Sequence, residues 1–258
     1  MEMQIADILI SLLGGFTAGF LNALAGFGSV ITLAIYMDIM NIPGHIANGT
    51  NRVNILASSS ISAVTFQRNG LLDFDRGKRI ILLVLLGALA GVVMAVNIDA
   101  DQFKSAYKYI LIPILAILLI KPRRFISPDQ SKPASNPWLT GIIYFLFGVY
   151  AGFIQVGFGV VFLLVVIIMD KYELIKANAL KVAIVAIYTV FVLAIFHFRG
   201  LVRWEAGLIL ASGQGLGGYL AARYASKMEG ANKFAYYLIV IIVIAVIVKN
   251  FELWKILA

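Results

Sequence analysis

Cysteine is absent from this 258-residue chain, so neither a disulfide framework nor a thiolate metal site can form. Charge is scarce too: Asp, Glu, Lys and Arg make up 13% of the residues, about half the ~25% of a soluble domain, beside a hydrophobic share of 61%. A globule of this size cannot cover itself with so little polar material, and with a mean hydropathy of +0.94 the chain reads as an integral membrane protein whose first partner is the lipid bilayer. Acids are the scarcer sign, 13 against 21 Lys and Arg, which leaves a net charge of +8. That excess does not indicate nucleic acid, because the basic residues sit in short connections between apolar runs, where membrane proteins keep cytoplasmic Lys and Arg. The two histidines, His45 and His197, stand at non-equivalent helix ends and do not suit a shared metal or catalytic pair. No His-Glu-x-x-His, P-loop or nucleophile-elbow pattern occurs. The chain is therefore expected to be no enzyme, to need no cofactor or metal, and to draw energy from a gradient. Met1-Glu2-Met3-Gln4 lacks the basic n-region of a signal peptide, so the first apolar run is expected to stay in the mature protein.

What is present is a series of apolar runs of spanning length. About 20 residues cross ~30 Å of hydrocarbon. Runs at 5–24, 45–66, 80–96 and 107–120, then 138–154, 175–198, 204–222 and 234–251, read as spanning helices. Two more, 29–40 and 160–169, reach only about half way at 1.5 Å per residue and read as half-helices or re-entrant segments. Each follows a Gly-Phe-Gly break. The fold class expected is all-α and polytopic.

The one long polar connection, 121–137, carries four basic residues and four prolines and divides the chain nearly in half. The halves match each other. Gly70, Leu71, Phe74 and Gly77 correspond to Gly200, Leu201, Trp204 and Gly207, Arg52 to Lys181, and Gly15 and Gly19 to Gly148 and Gly152. The chain is read as a duplication: a membrane repeat at 1–120, a cytoplasmic linker at 121–137 and a second membrane repeat at 138–258. Lys and Arg gather in 68–79, in the linker, in 171–181 and in 223–233, which places those connections inside. The first half then begins outside and the second inside. Inverted repeats with discontinuous helices are the construction of many secondary transporters, with the substrate near the midplane at the repeat interface.

The breaks supply the candidate site. Asn22, Gly26, Phe27, Gly28 and Ser29 in the first half answer to Gln155, Gly157, Phe158 and Gly159 in the second. Half-helix N-termini meeting from opposite faces would aim backbone N–H groups at one point, which attracts an anion. Arg52 and Lys181, about two turns inside their helices, would give that point two cations, unless they snorkel to the headgroups. Asn48 and Asn51, with Asn54 and Ser58, lie on or near the face of Arg52, and Asn178 precedes Lys181 by three. Gly87 with Gly91 and Gly213 with Gly217 read as close helix contacts instead. Asp38 and Asp170 read as interfacial stops to the short segments.

The paired Gly-Phe-(Leu/Ile)-x-x-x-x-Gly-Phe-Gly stretches carry a family resemblance, together with Ala47-Asn48-Gly49-Thr50-Asn51-Arg52 and Ala177-Asn178-Ala179-Leu180-Lys181. So do the loops beginning Arg68-Asn69-Gly70-Leu71 and Arg199-Gly200-Leu201. Over nearly its whole length the chain resembles the sulfite exporter TauE/SafE family of prokaryotic membrane transporters. The resemblance implies a multi-pass plasma-membrane carrier of sulfite, sulfonates or related small anions, with a homo-oligomer compatible with it. The chain departs from the family at Gly28-Ser29-Val30 and Gly159-Val160-Val161, where a run of three glycines is common, and at Ala179-Leu180 in place of Gly-Thr. The alternative is a channel or a cation-coupled carrier for another small solute.

Overall fold

The structure, a computed structural model, describes residues 5–120 and 136–224, with 237, 240, 241, 244–248 and 251 beyond them. The linker up to 135 and most of the expected last helix lie outside the described residues. The described chain is helical: α1 (Ile5–Ala25), α2 (Gly28–Ala34), α3 (Gly44–Arg68), α4 (Phe74–Ala95), α5 (Ala100–Ile120), α6 (Pro137–Phe153), α7 (Phe158–Met169), α8 (Leu174–Phe198) and α9 (Trp204–Tyr224). α2 runs on as a wider π-helical turn, Ile35–Ile39, so the short segment covers the same 12 residues as α7. Both short helices begin one or two residues earlier than the sequence suggests. Their starts are set by backbone conformation at the breaks rather than by hydrophobicity.

The helix ends show why the halves repeat. α3 and α8 each finish on a left-handed glycine, Gly70 (φ +68°) and Gly200 (φ +70°). Leu71 N–H then reaches back to Phe66 O and Leu201 N–H to Phe196 O, both at 3.0 Å. These are matching turns that satisfy late carbonyls. Asp73 caps α4 by accepting from Arg76 N–H, and Asn136 caps α6 by accepting from Trp138 N–H with Pro137 at the first helical position.

Each short helix folds back along the helix before it. A Cβ on Gly28 would meet Ala18 O, and one on Gly14 would meet Ile35, so α2 runs antiparallel to α1. Along α6 and α7, Phe158 lies against Phe147, Phe162 against Tyr144, and Asp170 accepts from Tyr144 Oη. The two short segments are therefore return arms of hairpins, ending on the side where α1 and α6 begin.

The hairpins are clamped by glycine contacts between the halves. Ideal Cβ atoms on Gly15 and Gly19 of α1 would lie 2.7 and 2.0 Å from Leu210 O and Gln214 O of α9, and Gly213 and Gly217 answer against Leu12 O and Phe16 O. Gly87 and Gly91 of α4 meet Phe145 O and Val149 O of α6 in the same way, answered by Gly148 and Gly152 against Val84 O and Ala88 O. In both pairs the contacts advance together along the two helices, so α1 is parallel to α9 and α4 to α6. Backbones this close require residues without a side chain. Each pair joins one helix from the first half to one from the second.

The outer surface is apolar. Leu13 is 70% exposed, Trp138 83% and Phe198 85%, a surface that needs lipid rather than water around it. By length and hydropathy α4 and α8 pass as bilayer-crossing helices among the described residues. α3 does not, because it buries a polar face of Asn48, Thr50, Asn51, Arg52, Asn54, Ser58, Ser59 and Ser62.

Alanine at Gly91 or Gly217 would drive a methyl to within 2.0 Å of a backbone oxygen that cannot yield. The expected cost is about 1–3 kcal/mol of overpacking. It should be read as a lower unfolding midpoint in detergent, whereas Gly141→Ala, which meets only the ends of the Arg79 and Leu83 side chains at 3.4 and 3.9 Å, should leave the midpoint unchanged.

Candidate functional site

The two breaks touch. Gly26 takes φ +79°, and a Cβ there would fall 2.3 Å from Gly159 Cα, so the end of α1 and the start of α7 are in backbone contact. Gln155 and Gly157 at the second break are also left-handed, at φ +61° and +69°. A chain broken inside a membrane leaves late helix carbonyls without partners and without water to replace them. Here the partners come from the opposite half.

Arg52 of α3 caps α6. Its Nη1 donates to Ala151 O at 2.8 Å and to Gln155 Oε1, and its Nη2 to Gly152 O at 3.1 Å and Asn48 Oδ1 at 3.3 Å. Asn48 completes the cap, donating from Nδ2 to Phe153 O at 2.8 Å. Lys181 of α8 does the same for α1: its Nζ donates to Asn22 O at 3.0 Å, Ala23 O at 3.4 Å and Asn178 Oδ1 at 2.9 Å. A cation on each long helix thus closes the broken helix of the other half, with Asn48 adding a bond of its own to α6 and Asn178 holding Lys181 in place. Arg52 is 0% exposed and Lys181 2%, so neither snorkels to the headgroups.

The electrostatic balance at this centre is positive. Among the described residues no carboxylate pairs with Arg52 or Lys181. Each faces a helix C-terminus, whose partial negative charge offsets part of a buried cation. The charge that would complete the centre is negative.

A small cavity lies between the breaks, lined by Asn22, Ser59, Gln155 and Lys181 with Gly26, Gly159 and Phe158 among its walls. It offers about 10 Å³ to the centre of a water-sized sphere, room for one water and none for a larger anion. The cavity is closed to anything larger. Because Gln155 commits its oxygen to Arg52, the group it has left is the amide NH₂. The polar lining therefore includes the Gln155 NH₂ and the Ser59 hydroxyl, while Lys181 gives its three hydrogens to Asn22 O, Ala23 O and Asn178 Oδ1.

The remaining residues singled out by sequence lie around this cavity. Asn48 and Arg52 sit behind Gln155, and Asn178 sits behind Lys181. Asn51 turns to α2, where its Oδ1 accepts from Thr32 Oγ1 at 2.6 Å. Phe27, Gly28 and Ser29 are buried at the start of α2 but are not part of the cavity wall, and neither is Gly157. His197 Nδ1 accepts from Trp204 Nε1 at 3.2 Å, at the far end of α8. No cluster of three metal-ligating side chains occurs among the described residues.

Ser59 was not singled out from the sequence. It stands one residue beyond Ser58 in a run of three serines, is 1% exposed, and its Oγ has no partner among the described residues while the residue lines the cavity. Helical position would have found it: Ser59 is seven residues after Arg52, two turns along the same face.

Comparison with known proteins follows the same line. A family model described as Sulfite exporter TauE/SafE matches residues 11–249. The chain is 29% identical to the "Probable membrane transporter protein ORF9" of Sinorhizobium sp, over 91% of this chain and 88% of that one. It is 25% identical to a "Probable membrane transporter protein" of Haemophilus influenzae, over 86% and 87% of the two chains. The "Probable membrane transporter protein YfcA" of Escherichia coli K12 is 24% identical, over 80% and 76%. No solved structure matches.

Arg52→Met would leave the carbonyls of Ala151 and Gly152 without their cap, at about 1–3 kcal/mol for each buried acceptor left bare. The expected outcome is a lower unfolding midpoint in detergent with no anion present. Arg52→Lys should recover only part of it, since an ammonium cannot reproduce the fork of a guanidinium.

Proposed function

Since the chain belongs to the sulfite exporter TauE/SafE family and is a membrane transporter, we propose that it is a secondary carrier of small oxyanions, sulfite or a small sulfonate. The observation that carries this reading is the cavity at the two breaks, lined by Lys181, Asn22, Gln155 and Ser59 with no carboxylate among the described residues. A tetrahedral or pyramidal oxyanion presents several acceptors to such donors, and charge-assisted bonds to it are the strong ones. Simple cations find no negative ligand there. The closed cavity suits a carrier that opens to one side at a time better than a channel with a continuous pore.

Inverted repeats support the mechanism. With α2 and α7 returning to the side on which their hairpins begin, α3, α4 and α5 make an odd number of crossings before the linker. The second half then starts on the opposite side from the first, in keeping with the positions of Lys and Arg. Lateral motion of the hairpins would expose the cavity to each face in turn. The plasma membrane of a prokaryote is the setting this reading assigns.

Saturating sulfite should raise the unfolding midpoint of the purified protein, because a ligand at about 100 times its Kd adds roughly 2.7 kcal/mol. Lys181→Met should lose that sulfite-dependent shift and sulfite flux in liposomes, and Lys181→Arg should keep part of both. The reading fails if Lys181→Met shows the full shift, or if the native protein responds to no oxyanion.

A further inference from the structure

α3 faces α9 through a buried polar seam, while the related face of α8 toward α4 is apolar. Down α3 the seam runs Asn51, Asn54, Ser58 and Ser62, spaced by three or four residues so that they share one face. From α9 it takes Gln214 and Gly218. All four α3 residues and Gln214 are 0–1% exposed. In the other half Ala183 and Ile187 stand where Asn54 and Ser58 stand, 129 residues on, and Val84 stands 130 before Gln214.

The seam is not hydrogen-bonded to completion. Asn54 takes Tyr36 Oη–H on its Oδ1 at 2.7 Å and donates both amide hydrogens, one to Asn51 Oδ1 at 3.1 Å and one to Gln214 Oε1. Asn51 and Gln214 therefore turn their NH₂ groups away, and neither NH₂ has an acceptor among the described residues. Nor do the hydroxyls of Ser58 and Ser62, which lie where a Cβ on Gly218 would meet them at 2.7 and 3.0 Å. Orphaned polar groups raise the free energy of the closed interface and are relieved by water. An apolar interface gains nothing from the same hydration.

We propose that the α3–α9 seam is the aqueous access path to the central cavity, opening toward the end of α3 at Arg68, and that the related α4–α8 interface has no such path. The seam passes beside the cavity, since Ser59 lines the cavity between Ser58 and Ser62, and Ser62 continues from it along α3 toward Arg68. It rests on the carrier reading only in taking that cavity as its destination. Its free groups are neutral donors and hydroxyls, which pass a small anion without holding it, as a conduction path must. Opening is a separation of α9 from α3, with α1 carried along by its glycine contacts to α9.

The absence of native cysteine makes the test direct. Single variants Ser58→Cys, Ser62→Cys and Ala183→Cys, in vesicles of each orientation, are exposed to a membrane-impermeant sulfonate-bearing thiosulfonate reagent, which forms a mixed disulfide and releases a sulfinate. Ser58→Cys and Ser62→Cys should react from the face bearing the Arg68 loop and not from the other. They should react about tenfold or more faster than Ala183→Cys, the factor that ~1.4 kcal/mol of easier opening gives. No reaction at either serine position, reaction from the opposite face, or equal reaction at Ala183→Cys overturns the path. Sulfite included in the reaction tests the carrier reading separately: shielding by sulfite supports oxyanion transport, and its absence counts against that reading while leaving the path standing.

Discussion

A helix that stops inside a bilayer leaves carbonyls that no water can reach, and the architecture of this protein depends on how that constraint is met. α1 and α6 both stop there, and neither has a basic residue in its last turn. The caps come instead from the other half, Asn48 and Arg52 on α6, and Lys181, held by Asn178, on α1. This exchange explains how two cations can be buried with no carboxylate partner among the described residues, because the helix C-termini supply part of the missing negative charge. It also ties the halves together at the level of their breaks. Motion that parts α3 from α6, or α8 from α1, must give the carbonyls and the cations new partners at the same moment.

The glycine contacts set which pieces can move together. α1 lies backbone-to-backbone on α9, and α4 on α6, so the tightest interfaces cross between the sequence halves rather than within them. A rocking motion of one sequence half against the other would break both. The bodies compatible with the packing are the α1–α9 and α4–α6 pairs, with α3 and α8 between them. Each pair carries one broken helix, and with it one wall of the cavity.

Much of this was legible in the residues. The all-helical class, the short segments after each Gly-Phe-Gly and the packing role of Gly87, Gly91, Gly213 and Gly217 follow from periodicity, length and spacing, which are local quantities. Element ends shifted by a few residues, most at α5, which begins at Ala100 because Asp99 and Gln102 cap it reciprocally ahead of the apolar run. The partners of Arg52 and Lys181 were not legible. Burial and repeat position could be inferred, but a cap supplied from about a hundred or more residues away leaves no local signal. The same holds for the seam: Ser58 and Asn54 announce a polar face on α3, yet only Gln214 and Gly218 on α9 decide what that face meets.

The two halves share matching helix ends and glycine contacts, and the differences between them separate Arg52 from Lys181. Arg52 makes its bonds through both Nη atoms, lies behind Gln155 and is absent from the cavity wall, whereas Lys181 is part of that wall. A guanidinium, with donors fixed in a plane, suits a brace that must hold several oxygens at once; an ammonium on a flexible stem suits a group that must exchange carbonyls for a ligand and return. The serines of α3 and the apolar residues of α8 divide in the same sense. Equal halves would give equal interfaces, and a carrier whose two access routes differ needs only such substitutions on one face of one helix.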